Sequence, residues 1–81
     1  MIGGIGLSEK DFEMYKFIIR YIKDNGYAPT IREIGKAVHL SSTSNVITHL
    51  NYLERDGWIK IKPNSPRAIK VMGYEFRKVE N

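Results

Sequence analysis

Apolar side chains return at helical spacing in three stretches of this chain and then switch to strict alternation. Phe12, Tyr15, Ile18, Ile19 and Ile22 form the first stripe, and Met14 and Phe17 widen it, as suits a helix packed on two sides. Ile31, Ile34 and Val38 form the second, with Gly35 and Ala37 small enough for close helix approach. Val46, Leu50 and Leu53 form the third at i, i+4 and i+7. From Trp58 the period is two. Ile59 and Ile61 face one way, Trp58, Lys60 and Lys62 the other. Pro63-Asn64-Ser65-Pro66 reads as a turn, and Arg67 to Val71 as a second strand with Ile69 and Val71 inward. The pattern predicts three helices followed by a β-hairpin whose outer face is basic, carrying Lys60, Lys62, Arg67 and Lys70.

Polar residues punctuate these stretches where helices begin and end. Ser8 is placed to cap the first helix, with Asp11 at N3 bonding back and Leu7 and Phe12 as a hydrophobic staple. Asn25-Gly26 ends that helix. Thr30 and Glu33 mark the second start as a capping box, after an extended Tyr27-Ala28-Pro29 link. That helix stops near His39, and Leu40 is expected to tuck into the core. Ser42 caps the third helix and Gly57 closes it. Two short helices joined by about four residues form a helix-turn-helix. With the hairpin, the expected fold is mainly α (α+β), a winged helix-turn-helix. It occupies residues 8–72, between an arm at 1–7 and a tail at 73–81.

The third helix has an unusual outer face. At 100° per residue Ser44, Thr48, Asn51 and Arg55 point away from the stripe, flanked by Asn45 and Ile47. A solvated helix face favours Glu, Lys and Arg, which are better helix formers than Ser, Thr and Asn. Small polar groups are what a helix needs to approach base edges in a DNA major groove. Charge sharpens the reading. The chain carries a net +4, and residues 57–81 alone hold six Lys/Arg against two Asp/Glu, while the first two thirds balance. A localised basic patch suits a polyanion partner.

Other chemistry finds little support in the 81 residues. There is no cysteine, hence no disulfide or zinc–thiolate site. His39 and His49 lie ten residues apart outside any ligand pattern, and His49, beside the third stripe, reads as a core or boundary residue. No nucleophile–base pair is recognisable, and the glycines at 3–6 lack the Lys-Ser/Thr of a phosphate loop. The carboxylates read as solvated partners of nearby lysines, Glu9 with Lys10 and Glu13 with Lys16. Trp58 is expected to pack on the first helix, and Tyr52, on the flank of the third, either to touch phosphate or to pack at the boundary. The expectation is a non-enzyme without cofactor or metal. No apolar run is long enough to span a membrane, and Met-Ile-Gly-Gly-Ile-Gly lacks a signal peptide's basic start. A cytoplasmic location is expected.

The run Gly26-Tyr27-Ala28-Pro29-Thr30-Ile31-Arg32-Glu33-Ile34-Gly35-Lys36-Ala37-Val38 resembles the second-helix segment of LexA-type repressors, closest to the Gram-positive branch. His49-Leu50, Leu53-Glu54 and Gly57 fit that family's third helix, and Pro63 with Pro66-Arg67-Ala68-Ile69 fits its wing. The resemblance covers residues 8–71. It implies a third helix in the major groove, a wing along the backbone, and base or phosphate contacts from Ser42, Ser44, Asn45, Ile47 and Thr48. Asn51 on the same face and Lys60, Lys62, Arg67 and Lys70 on the wing complete the expected interface. Ile47 and Thr48 depart from the His and Gly usual in the Gram-positive proteins, and His39 stands where a glycine is usual. LexA repressors continue into a self-cleaving peptidase domain with a Ser–Lys dyad, which also makes most of the dimer contact. The residues after Val71 leave no room for it, so an isolated domain or a naturally short relative is expected.

Three function classes follow. Sequence-specific binding of double-stranded DNA as a repressor fits the small polar face and the basic wing. A protein–protein module that captures another regulator requires an exposed apolar patch, for which the helix face offers only Ile47. RNA or single-strand binding requires aromatics among basic residues, offered only by Tyr74 and Phe76. The first is the expected function, on a palindromic operator, with a weak or DNA-induced homodimer.

Overall fold

The computed structural model describes residues 8–73. The arm, Leu7 of the proposed staple, and Tyr74 and Phe76 lie outside them. The order is α1 (Glu9–Asn25), α2 (Ile31–Ala37), α3 (Thr43–Arg55), β1 (Ile59–Ile61) and β2 (Ile69–Val71). The strands pair antiparallel, with Ile59 opposite Val71, Lys60 opposite Lys70 and Ile61 opposite Ile69. This is a winged helix-turn-helix.

Each helix begins where its cap stands. Ser8 accepts from the Asp11 N–H, Thr30 from Glu33 and Ser42 from Asn45. At Thr30 the capping box is complete, because the Glu33 carboxylate returns a bond to the Thr30 N–H at 2.8 Å. At Ser8 it is not. Asp11 is buried and reaches His49 on α3 instead of turning back. Gly57 closes α3 at φ 86°, with the Trp58 N–H on Leu53 O and the Gly57 N–H on Glu54 O. That is the six-to-one and five-to-two pattern of a left-handed cap, a conformation that glycine adopts without the backbone strain a side chain brings there.

One core joins the elements. Met14 and Ile18 of α1, Ile34 of α2, Val46, Leu50 and Leu53 of α3, and Ile59, Ile69 and Val71 of the wing are all buried. Trp58 meets Tyr15 edge to face at 5.2 Å, which seats the helix–wing junction on α1 as expected. Leu40 packs against the core from the turn. Gly35 is the close approach between α2 and α3. A Cβ there would stand 2.8 Å from Leu40 O and 3.1 Å from Val46 Cγ2.

Three further sequence readings change. Phe12 is exposed, with the Lys16 ammonium 4.9 Å over its ring. The inward row of α1 runs through positions 11, 14, 15 and 18, so its first place belongs to Asp11 and Phe12 is turned outward. The surface pairs are Lys10 with Glu13 and Arg20 with Asp24, and Lys10 also donates to Val38 O at 2.7 Å. Arg67 precedes β2 and is not on the outer face of the hairpin. Its guanidinium lies against Glu33 and Ala28 O.

Candidate nucleic-acid interface

The exposed side of α3 carries Ser44, Asn45, Ile47, Thr48 and Asn51, with Ser42 half-buried at its start. Helix periodicity alone delivers these residues outward, since Val46, Leu50 and Leu53 hold the opposite side in the core. Thr48 is further specified. Its hydroxyl donates to Ser44 O at 2.9 Å, leaving its oxygen to accept from a ligand. Ile47 is 42 % exposed, an apolar side chain in the middle of a polar face.

The wing brings a second set of groups. Lys60 and Lys70 are exposed and directly opposed across the two strands, and Lys62 follows at the exit of β1. None of the three has an ion-pair partner among the described residues. Like charges directly opposite on a sheet repel, so this arrangement costs the hairpin stability and leaves three ammonium groups for an outside anion. The wing is held to α3 by an acceptor from the helix. Ile61 turns its N–H away from β2, and Glu54 Oε2 accepts it at 2.9 Å.

Between α3 and the wing lies a cleft of about 500 Å³, floored by Ile47, Leu50, Ile61 and Ile69. Thr43, Asn51 and Ser65 give it polar groups, and Arg32 of α2 stands at its margin. Arg32 is exposed in the first turn of α2, without an ion-pair partner among the described residues. The sequence reading passed over Arg32 and Thr43. A signal was present in Arg32, because a cation at a helix N-terminus opposes the helix dipole and gains from a nearby anion.

The structure thus brings together Ser44, Asn45, Ile47, Thr48 and Asn51 on one helix face, and Lys60, Lys62 and Lys70 on one hairpin. Arg67 lines a hollow of the hairpin together with Lys60, Lys62 and Lys70, but its guanidinium is engaged by the helices and the link between them. Nη1 donates to Ala28 O at 2.8 Å, to Glu33 Oε1 at 3.1 Å and to the Tyr21 hydroxyl at 3.3 Å, and Nη2 to Glu33 Oε2 at 3.3 Å. The guanidinium also lies 4.6 Å over the Tyr27 ring. The Thr30 N–H and then the Arg67 guanidinium hold the Glu33 carboxyl down at about 2, from an ordinary 4.5. His49 sits at the α1–α3 boundary on Asp11, and Tyr52 is exposed between His49 and Arg55. Among the described residues no group of three or more His, Cys, Asp or Glu could hold a metal, and no helix is long and apolar enough to cross a membrane.

A helix-turn-helix with a polar third helix and a cationic hairpin defines the winged-helix class of nucleic-acid-binding domains. Within it, residues 5–68 match the LexA DNA binding domain model, and the chain belongs to that family. It is 47 % identical over 73 residues to the LexA repressor of Lactiplantibacillus plantarum, covering 88 % of this chain and 35 % of that protein. It is 44 % identical over 70 residues to the LexA repressor of Caldicellulosiruptor saccharolyticus, covering 86 % and 35 %. Over 73 residues it is 40 % identical to that of Staphylococcus epidermidis, covering 90 % and 35 %. The chain spans about a third of the length of these relatives.

Proposed function

We propose that this domain binds double-stranded DNA at specific sequences and acts as a transcriptional repressor of the LexA type. Helix α3 enters the major groove and the wing follows the backbone. The observation that carries this reading is a small polar, exposed face on α3 beside a hairpin whose Lys60, Lys62 and Lys70 have no ion-pair partner among the described residues. The relatives named LexA repressor support the regulatory role.

In this reading Ser44, Asn45, Thr48 and Asn51 meet base edges, with Ser42 at the helix start. Thr48 accepts there, from an adenine or cytosine amino group, because its own proton is committed to Ser44 O. Ile47 meets a thymine methyl. Lys60, Lys62, Lys70 and Arg32 neutralise phosphates. One such helix reads too few base pairs to single out an operator, so two domains bind an inverted repeat, pairing on the DNA.

Selection of bound duplexes from a random pool tests the reading. An inverted repeat is the expected product, and Asn45→Ala relaxes one or two of its positions while leaving the others intact. A pool that emerges unenriched, or a preference untouched by both Asn45→Ala and Thr48→Ala, removes α3 from the groove.

A further inference from the structure

We infer that Arg67 and Glu33 form a clamp that sets the position of the wing tip, so that Arg67 is a positioning residue for phosphate binding and not itself a phosphate contact. The inference rests on the DNA-binding reading and deepens it.

The hairpin needs such a device. It has two strands of three residues, and an isolated hairpin of that size is at best marginally stable. Its base is secured by Ile59, Ile69 and Val71 in the core and by the Glu54 bond to Ile61. Its far end, Lys62 to Ala68, contains two prolines and one strand-like bond, from the Lys62 N–H to Ala68 O. Arg67 ties this end back to three other parts of the molecule. It reaches Tyr21 on α1, Ala28 O in the link and Glu33 on α2.

The carboxylate it finds is already fixed. Glu33 Oε1 accepts the Thr30 N–H that starts α2, so the same group that begins the helix receives the wing. An arginine fork on a preorganised carboxylate fixes direction as well as distance, which a lysine does not. The packing of Arg67 over Tyr27 adds a second constraint on the plane of the guanidinium. A side chain held this way has both Nη groups engaged by other parts of the molecule. The wing lysines have no comparable ties among the described residues, and they act from wherever the clamp leaves the hairpin.

Glu33 supplies the decisive test, because intuition and the clamp predict opposite signs. Removing a negative charge from a DNA-binding domain should strengthen binding through the general field. If Glu33 positions the wing, Glu33→Gln weakens it. The amide oxygen of glutamine preserves the cap on Thr30 while the ion pair is lost. Both side chains are more than a third exposed, so neither substitution opens the core.

The experiment is a salt titration of random-duplex binding by the 81-residue chain, with Glu33→Gln, Arg67→Lys and the double variant. Each phosphate contact contributes about 0.9 to the slope of log affinity against log salt. The clamp predicts that either single variant lowers the slope by more than one contact's worth, about two to three, as the wing lysines lose register. The double variant should be no worse than the poorer single one. Arg67→Lys with a wild-type slope, or Glu33→Gln binding as tightly as wild type or tighter, overturns the clamp. If wild type shows no salt-dependent duplex binding, the DNA reading fails, and hydrogen exchange at the Lys62 amide then judges the clamp alone. Lost protection in Glu33→Gln supports it, and unchanged protection refutes it.

Discussion

His49 Nδ1 stands 2.5 Å from Asp11 Oδ1, joining the third helix to the first turn of α1. The Asp11 side chain is 4 % exposed, so its carboxylate depends on this partner. Replacing His49 with leucine should lower stability by about 1–3 kcal/mol, since a buried acceptor loses its donor. Asp11→Asn in the same background should recover part of that. Urea denaturation reads both, and an unchanged midpoint in His49→Leu would show that water serves Asp11 equally well.

Gly35 is where α2 and α3 come closest. On helix propensity alone Gly35→Ala should stabilise by roughly 1 kcal/mol. The new methyl would press on the Leu40 carbonyl at 2.8 Å, and backbone does not move as a side-chain end does. Net destabilisation of about 1–3 kcal/mol is expected, as for overpacked cores. Thermal unfolding decides the sign.

His39 follows α2 in the left-handed region at φ 62°, exposed to solvent. A β-carbon there costs roughly 1–2 kcal/mol, of which glycine's extra unfolded-state freedom cancels about half. His39→Gly should therefore stabilise by about 0.5–1 kcal/mol. A lower unfolding midpoint would mean that the imidazole makes a contact worth more than the strain.

Because the Glu33 carboxyl is held near 2 in the folded chain, its ion pair and cap stabilise fully above pH 4.5. That contribution is lost as pH falls from 4.5 through 2, where the folded carboxylate takes up its proton. The gap in melting temperature between wild type and Glu33→Gln should be widest near neutrality and close toward pH 2. A gap independent of pH would assign the effect to packing.

Lys60 opposes Lys70 across the wing. Lys60→Thr should steady the free protein by about 0.2–1 kcal/mol while removing about 0.9 from the salt slope of duplex binding. Gain in one measurement and loss in the other is the expected signature. Loss in both would mean that the Lys60 stem packs on the sheet.

Much of this molecule was legible in the chain. The three caps, the left-handed closure at Gly57, most of the core stripes and the inward faces of the hairpin follow from local chemistry and period, and local rules do not need the rest of the fold. What failed involved partners distant in sequence. Asp11 sits at N3 of a capping box, and nothing nearby reveals that a histidine 38 residues later will claim it. Once it does, position 11 joins the inward row and Phe12 is turned out. Arg67 was misplaced for a simpler reason. Counting by two from Ile69 puts position 67 on the inner side, and its location in a basic segment concealed that parity.

The bond from the Ile61 N–H to Glu54 has a geometric consequence on the DNA reading. It connects the last turn of α3 to the first strand of the wing, across only three intervening residues, Asp56, Gly57 and Trp58. The two parts then behave as the jaws of a caliper with a set opening. Such a gauge responds to groove width as well as to base edges, so duplex steps that resist or ease deformation would alter affinity at positions that no side chain touches.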